Sequence, residues 1–264
     1  MAKLIADKKH SLTEVLARRA VSHRRGKILS LTVRLAYVIL MAVSVCTVAP
    51  RANAQETNAQ ASRAFNPIFP YDALIAGRGG WAEISYTVDY SGRAILPTVV
   101  GSSEKAFALA FQADIDAIEF IPPRRNGQPV MSMSKQRYDF PAKPALDLIA
   151  REILAELRKP EPNLCPVEEL DAKPEALRKP LTVYPWVLRG DGESGKAEIE
   201  FVIDRNGRVL FPHIVSATHE DFGWSAATAV IGWRYKSPTK GGVKVDTRIK
   251  ETIVYDISKS KGMW

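Results

Sequence analysis

The motif with the clearest link to chemistry is a glycine run, GxGxxG, at residues 190–195. In dinucleotide sites this loop follows a strand and opens a helix, so that the phosphates meet the helix N-terminus. Here the glycines precede a segment with the alternation of a strand. The motif therefore lacks the structural context that nucleotide binding requires.

The other reactive side chains are few and scattered. Beyond residue 54 the histidines are His213, in a predicted strand, and His219, beside a predicted helix start, and the only cysteine is Cys165. Cys165 is interpreted as a free linker thiol or as one half of an intermolecular disulfide. Glu83 and Glu198 occupy equivalent polar positions, where solvated or cross-strand charges are expected. The sequence therefore predicts no catalytic residue, no metal site and no cofactor.

The net charge of +8 comes entirely from the N-terminus. The chain has 37 Lys and Arg against 29 Asp and Glu, of which residues 1–54 contain ten and two, so the remainder is neutral. A nucleic-acid-binding protein needs a basic surface to displace phosphate counterions. The neutral remainder argues against that class.

Residues 1–54 have the features of an export signal. A basic segment ending at Arg34 precedes an apolar run, Leu35–Pro50, and small residues that predict cleavage between Ala54 and Gln55. As a helix, the run extends about 24 Å, less than the roughly 30 Å of a hydrocarbon core. We therefore expect an exported protein. A retained N-terminal anchor is the alternative, because Arg34 can lengthen the span by snorkelling.

The rest of the chain contains an internal repeat with an offset of 115 residues, which aligns residues 81–140 with 196–255 without a gap. The matched residues are Ala82–Ile84 with Ala197–Ile199, Asp89 with Asp204, Gly92–Arg93 with Gly207–Arg208, Pro97 with Pro212, and Phe107 with Phe222. An ungapped match at one offset indicates a duplicated domain.

Each copy has the same predicted elements. Alternating apolar residues predict a half-buried first strand, Asp-x-x-Gly predicts a hairpin turn, and a proline in the second strand implies a bulge or an outward-facing position. A helix follows, with Ser103 or Thr218 as its N-cap. The final strands are predicted at Val130–Phe140 and Val245–Tyr255. The fold class is α+β, with two tandem domains, each a three-stranded antiparallel sheet packed against helices.

Residues 141–183 form a linker rich in proline and charge. Within it, Ala145–Arg158 has the apolar spacing of an amphipathic helix. We expect this helix to pack on one or both copies. A membrane-surface role is the weaker alternative, because the linker is net acidic and surface-bound helices favour Lys and Arg.

Together these features resemble the TonB C-terminal domain family, and they do so twice, over residues 65–140 and 184–258. The residues that carry the resemblance are Phe69–Pro70, Gly80, Asp89, Gly92–Arg93 and Phe120 with Pro122 in the first copy, and Tyr184–Pro185, Gly195, Asp204, Gly207–Arg208 and Tyr235 with Pro238 in the second.

The resemblance implies a non-enzymatic binding role. Members of the family span the inner membrane once, couple to a proton-driven motor, cross the periplasm and grip a short peptide of outer-membrane transporters. It implies here that transporter peptides add as a strand to the last strand of each copy, because an edge strand has unpaired N–H and C=O groups. The candidate peptide-binding residues are Val130, Ser132, Ser134, Gln136, Tyr138, Phe140, Val245, Thr247, Ile249, Glu251, Ile253 and Tyr255.

Two departures from the family weigh against direct motor coupling. The apolar run lacks the Ser-x-x-x-His motif of family transducers, and residues 55–69 extend only about 50 Å. We therefore expect a released periplasmic binder that supports energised transport; an inner-membrane anchor facing the periplasm is the alternative location. A non-catalytic structural adaptor or dimerisation module, whose edges pair with each other or with other cell-envelope proteins, is the alternative function.

Overall fold

The computed structural model describes residues 57–190 and 192–256. The predicted leader 1–54 and its cleavage site at Ala54 and Gln55 lie outside the described residues. The helices are α1 (Tyr71–Ile75), α2 (Lys105–Asp116), α3 (Leu148–Leu157) and α4 (Glu220–Val230). Among the described residues, no helix combines the length and the apolar character needed to cross a bilayer.

The strands comprise six of nine residues and eight short ones within the described ranges. The long strands are β2 (Gly80–Val88), β3 (Ala94–Ser102), β7 (Ser132–Phe140), β9 (Gly195–Ile203), β10 (Val209–Ala217) and β14 (Thr247–Tyr255). The short ones are β1 (Gln60–Ala61), β4 (Phe120–Ile121), β5 (Arg124–Arg125), β6 (Gln128–Pro129), β8 (Ala176–Arg178), β11 (Arg234–Tyr235), β12 (Thr239–Lys240) and β13 (Val243–Lys244).

The long strands form two antiparallel sheets with the same order, β3-β2-β7 and β10-β9-β14. Bounds of the corresponding long strands differ by 115 residues throughout. The predicted α+β architecture, with helices against small antiparallel sheets, is therefore present. Its origin by duplication stays our interpretation of the repeat.

The first hairpin turn of each sheet is organised by an aspartate and a glycine. Asp89 Oδ1 accepts hydrogen bonds from the amides of Ser91 and Arg93, at 2.8 and 2.9 Å. Gly92 has a φ of 83°, and a Cβ at this position would lie 2.0 Å from the Phe120 carbonyl oxygen. Asp204 and Gly207 repeat the arrangement in the second sheet. The Asp-x-x-Gly motif is thus required both by the turn and by close packing of the chain.

The prolines of the second strands lie at bulges, which is one of the two arrangements predicted for them. The register shifts between Leu210 and His213 in β10 and around Pro97 in β3. Leu96 and Phe211, which precede the two prolines, have φ values of 53° and 51°. The ladder is interrupted where a proline cannot donate a hydrogen bond.

The predicted N-caps are wrong. The N-cap residues are Glu104, whose side chain makes no capping bond, and His219, whose side chain accepts from the amide of Asp221. Ser103 Oγ and Thr218 Oγ1 instead accept from the amides of Trp81 and Lys196. They tie the start of the helix to the start of the first strand, a tertiary role that local sequence does not reveal.

The final strands are two residues shorter than predicted at their start. The amides of Val130 and Val245 donate to the carbonyls of Pro123 and Pro238, at 2.8 and 3.0 Å. These bonds close small hairpins, β5-β6 and β12-β13, ahead of each final strand. Val130 and Val245 therefore lie outside β7 and β14.

The two halves meet through their helices. α2 packs against α4, Lys105 Nζ lies 2.5 Å from Glu220 Oε1, and Gln112 Nε2 donates to Asp221 Oδ1 at 3.2 Å. Apolar residues of both halves belong to one buried cluster. The final strands contribute Phe140, Ile253 and Tyr255 to this cluster, but they do not pair with each other.

The predicted linker helix packs on both halves. α3 begins after Asp147, which accepts the amide of Ala150 at 2.9 Å. Its buried face, including Ile153 and Leu157, contacts a second cluster that contains Leu74 of α1 and Val202 of β9. This confirms that the amphipathic face packs within the protein.

Asp116 is a half-buried residue at the junction of the halves, and its carboxyl group points inward. One carboxylate oxygen accepts the amide of Trp186 at 3.3 Å, while the other is buried with no hydrogen-bond partner among the described residues. Burial raises the pKa of this carboxyl to about 7, against the opposing effects of the Trp186 amide and Arg189.

We expect Asp116→Asn to stabilise the protein at pH 8 and to change little at pH 4. The folded pKa of Asp116, about 7, exceeds the unfolded value of about 3.9, so the wild type loses stability as pH rises between these values. At about 1.4 kcal/mol per pKa unit, the gain at pH 8 is at most about 4 kcal/mol. Urea unfolding at both pH values measures it, with exposed Asp72→Asn as the charge control. Equal pH dependence in both variants would contradict the burial of this acid.

Candidate functional site

The candidate site is the outer side of the last strand in each sheet. β7 pairs with β2 and β14 pairs with β9, each along nine register positions. In the order of the sheets, both strands lie at one end. Each therefore has main-chain groups on one side that the central strand does not use.

Hydrogen bonding and strand register together show which residues of β7 direct their N–H and C=O groups away from the sheet. Successive residues in an antiparallel strand direct their N–H and C=O groups to opposite sides. The Trp81 carbonyl accepts the amide of Ser103 at 3.0 Å, so the odd-numbered residues of β2 face β3. Ile84 and its even-numbered neighbours therefore face β7, where Ile84 is the register partner of Gln136. The main-chain groups that point away from the sheet belong to Met133, Lys135, Arg137 and Asp139.

The same geometry holds for β14. The Lys196 carbonyl accepts the amide of Thr218 at 2.9 Å, and Thr247 is the register partner of Ile203. Outward groups therefore belong to Arg248, Lys250, Thr252 and Val254, together with the carbonyl of Asp246 just before the strand.

The candidate residues predicted from sequence lie on the other set of positions. Val130 and Val245 precede the strands. The side chains of the other ten face the helix, and their main-chain groups bond to the central strand. Four are buried, namely Phe140, Thr247, Ile253 and Tyr255, and six are half-buried, namely Ser132, Ser134, Gln136, Tyr138, Ile249 and Glu251. These residues supply side chains beside the edge, while the intervening residues supply its hydrogen bonds. The sequence signal that could have separated the two sets is the position of each hairpin turn, because the turn decides whether odd- or even-numbered residues of a strand bond to its neighbour.

A groove runs along the helix-facing side of β7. It has a volume of about 340 Å³ and is bounded on one side by Ser134, Lys135 and Gln136 and on the other by Ala59, Ala61 and Phe65. Tyr86 and Phe120 complete its lining, with their ring centroids 5.4 Å apart. Burial raises the pKa of Tyr86 to about 12, so its phenol is neutral at physiological pH. The groove combines an aromatic lining with adjacent strand hydrogen-bonding groups.

The solvent face of β7 carries charged side chains that pair within the sheet. Lys135 Nζ lies 3.1 Å from Glu83 Oε1, which confirms a cross-strand role for Glu83. The Arg137 guanidinium lies 4.1 Å from the centroid of the Trp81 ring and bonds to Asp139 at 2.8 Å. Such exposed pairs contribute little to stability. They are side-chain contacts and do not use the outward main-chain groups.

Beside the equivalent edge of β14, the preceding linker contacts side chains on the helix-facing side of the strand. Lys179 Nζ bonds to Glu251 Oε1 at 2.7 Å and lies 4.5 Å from the centroid of the Trp233 ring. The Tyr235 hydroxyl donates to the same Glu251 oxygen at 3.1 Å. Burial and the charge of Glu251 raise the pKa of Tyr235, which keeps it a donor. Sequence reasoning missed Lys179 as a contact of this edge.

The remaining motifs have structural roles. The glycine run leads into strand β9 at Gly195, the His213 ring stacks on Tyr71 at 4.4 Å between centroids, and His219 is the N-cap of α4. Cys165 is a free, half-buried thiol. Within the described ranges, no group of three His, Cys, Asp or Glu is arranged to hold a metal ion.

Residues 180–257 match the family model of the Gram-negative bacterial TonB protein C-terminal. The matched segment contains β9, β10, α4 and β14, and so supports the TonB resemblance for the second half of the chain. Among solved structures, the chain matches the solution NMR structure of the Pseudomonas aeruginosa TonB CTD, at 19% identity, covering 36% of this chain and 94% of that one, with a TM-score of 0.29. No curated protein matches the chain.

We expect proline to be tolerated at Lys135 and to destabilise at Gln136. The amide of Gln136 bonds to β2 and that of Lys135 does not, so only Gln136→Pro leaves a ladder acceptor unpaired. The difference should be about 1–3 kcal/mol, the cost of one unsatisfied buried group. Denaturant unfolding measures it, with Lys135→Ala controlling for loss of the Glu83 ion pair. If Lys135→Pro were the more damaging change, the outward assignment would be wrong.

Proposed function

We propose that this protein is an exported, non-enzymatic binder with two TonB-like copies, which captures peptide segments of outer-membrane transporters by strand addition and supports energised transport. The observation that carries the proposal is the edge of β7. Among the described residues, no main-chain group bonds to the outward amides and carbonyls of Met133, Lys135, Arg137 and Asp139. Side chains of the same strand reach two of the carbonyls, with Gln136 Nε2 donating to Arg137 at 3.1 Å and Ser132 Oγ to Met133 at 3.5 Å.

The edge and the groove supply different parts of recognition. Main-chain bonds tolerate varied peptide sequences, and each contributes about 0.5–1.5 kcal/mol net. Alternate side chains of an added strand would point into the groove lined by Phe65, Tyr86 and Phe120. We therefore expect guests with small or apolar residues at every second position.

The chain itself provides an example of such pairing. Cys165 is the register partner of Thr247 in a parallel bridge, and its amide donates to the Asp246 carbonyl at 2.9 Å. An extended segment thus adds to a final strand of this fold from its outer side. This supports strand addition as the mode of capture.

Titration of the full chain with plug-domain peptides of outer-membrane transporters tests the proposal. We expect binding that Lys135→Pro weakens about tenfold, which corresponds to about 1.4 kcal/mol for one lost main-chain bond. Lys135→Ala retains the amide and should bind like the wild type. Absence of binding, or equal affinity of both variants, would contradict strand addition at β7. Self-association of the free chain through β7 would then favour the dimerisation module.

Location is tested by N-terminal sequencing of the native protein. We propose that the leader is removed and that Gln55 is the first residue of a periplasmic protein, which excludes coupling to an inner-membrane motor through this chain. Met1 or an early residue as the N-terminus would instead favour the inner-membrane anchor.

A further inference from the structure

The two final strands differ in what occupies their outer side. Residues 163–171, named the strap here, approach the start of β14 in the second half. The amide of Cys165 donates to the Asp246 carbonyl at 2.9 Å, and the Thr247 hydroxyl donates to the Cys165 carbonyl at 2.7 Å. The strap therefore holds the first outward position of this edge.

The far end of the strap is fastened to the hairpin β12-β13. The Asp171 carboxylate accepts the amides of Gly241 and Gly242 at 2.7 and 2.8 Å, and its own amide donates to the Thr239 carbonyl at 2.8 Å. Glu169 and Lys240 form an ion pair beside these bonds. These contacts fix the strap at both ends, and Leu164 near its start packs against the second buried cluster.

The strap occupies only the start of the β14 edge, because its pairing with β14 ends at a proline. Pro166 follows Cys165 and has no amide to donate, so the parallel pairing stops after one bridge. The outward main-chain groups of Lys250, Thr252 and Val254 lie beyond it, and the Lys179–Glu251 ion pair lies on the helix-facing side of the strand at that level. A guest that paired along the whole of β14 would have to displace the contacts of the strap. By contrast, no main-chain group of a described residue bonds to the outward groups of Met133 in the first half.

We propose that the strap is an intrachain guest of β14, and that it confines the capture of partner peptides to β7 while it is in place. This inference rests on the proposed function, since it assigns the captured transporter peptide to one of the two final strands. The chain then binds one peptide rather than two, and release of the strap opens the second edge.

Two variants set the state of the strap in the full chain. In a Cys46→Ser background, Thr247→Cys places a cysteine opposite Cys165, and register partners on adjacent strands lie within the Cα separation of a disulfide. Oxidation locks the strap. Asp171→Ala with Thr247→Val removes three of its hydrogen bonds and releases it. Cys46→Ser alone and Thr98→Val, at an exposed position outside both final strands, are the matched controls.

The readouts are the stoichiometry of the tightest-binding transporter peptide and hydrogen exchange along both edges. The wild type and the locked variant should bind one peptide, with protection rising over residues 133–139. The released variant should bind two, with at least tenfold more protection over residues 250–254. Two peptides on the wild type or the locked variant, or first protection at β14, would overturn the inference.

Failure of the proposed function gives a different result. If no peptide binds any variant, capture by strand addition fails, and exchange in the free chain decides whether the strap is an occupant of β14. The amides of Cys165 and Arg248 should then exchange at least tenfold faster in the released variant than in the wild type. Equal rates would show that the strap does not hold the edge.

Discussion

A strand at the end of a sheet has main-chain partners on one side only, and this constraint governs the site. Nine consecutive register pairs join β7 to β2 and β14 to β9, which fixes the direction of every amide on both strands. Half of those amides therefore point away from the sheet whatever the side chains are. The free main-chain edge follows from the strand order alone. The side chains determine only the groove and the charges that lie beside this edge.

The arrangement of the two halves keeps these edges free of each other. Packing through α2 and α4 buries the helical faces in a shared cluster. In addition, α1 of the first half contacts β10, and Trp186–Leu188 of the second half contacts β3. Had the halves joined through their final strands, the pairing would have extended the sheet and removed the edge. Helix packing thus provides stability, and the final strands are left to the strap and, as we propose, to a guest.

The sequence predicted much of this architecture because the repeat and the alternation are local signals. The first strands, the hairpin turns and the bulges at Pro97 and Pro212 follow from residue types and spacing. The starts of the final strands did not, because Val130 and Val245 continue the alternation although their amides close the preceding hairpins. Ser103 and Thr218 have N-cap chemistry, but they bond to a strand that is distant in sequence.

The site was predicted at the level of the strand and not of the residue. The alternation of apolar and polar residues identifies the positions whose side chains face the helix. Which residues have outward main-chain groups depends instead on whether odd- or even-numbered residues bond to the central strand, and the hairpin turn determines this. The strap was not predicted either, because its contacts link residues roughly seventy to eighty positions apart, and a proline-rich linker has no pattern that reveals them.

The openness of the β7 edge can be measured in the free protein by amide hydrogen exchange at single-residue resolution. The amides of Lys135 and Arg137 should exchange rapidly, while those of Gln136 and Tyr138, which face β2, should be strongly protected. If all four were protected alike, another segment would already occupy the edge, and the account of a strand awaiting a guest would be contradicted.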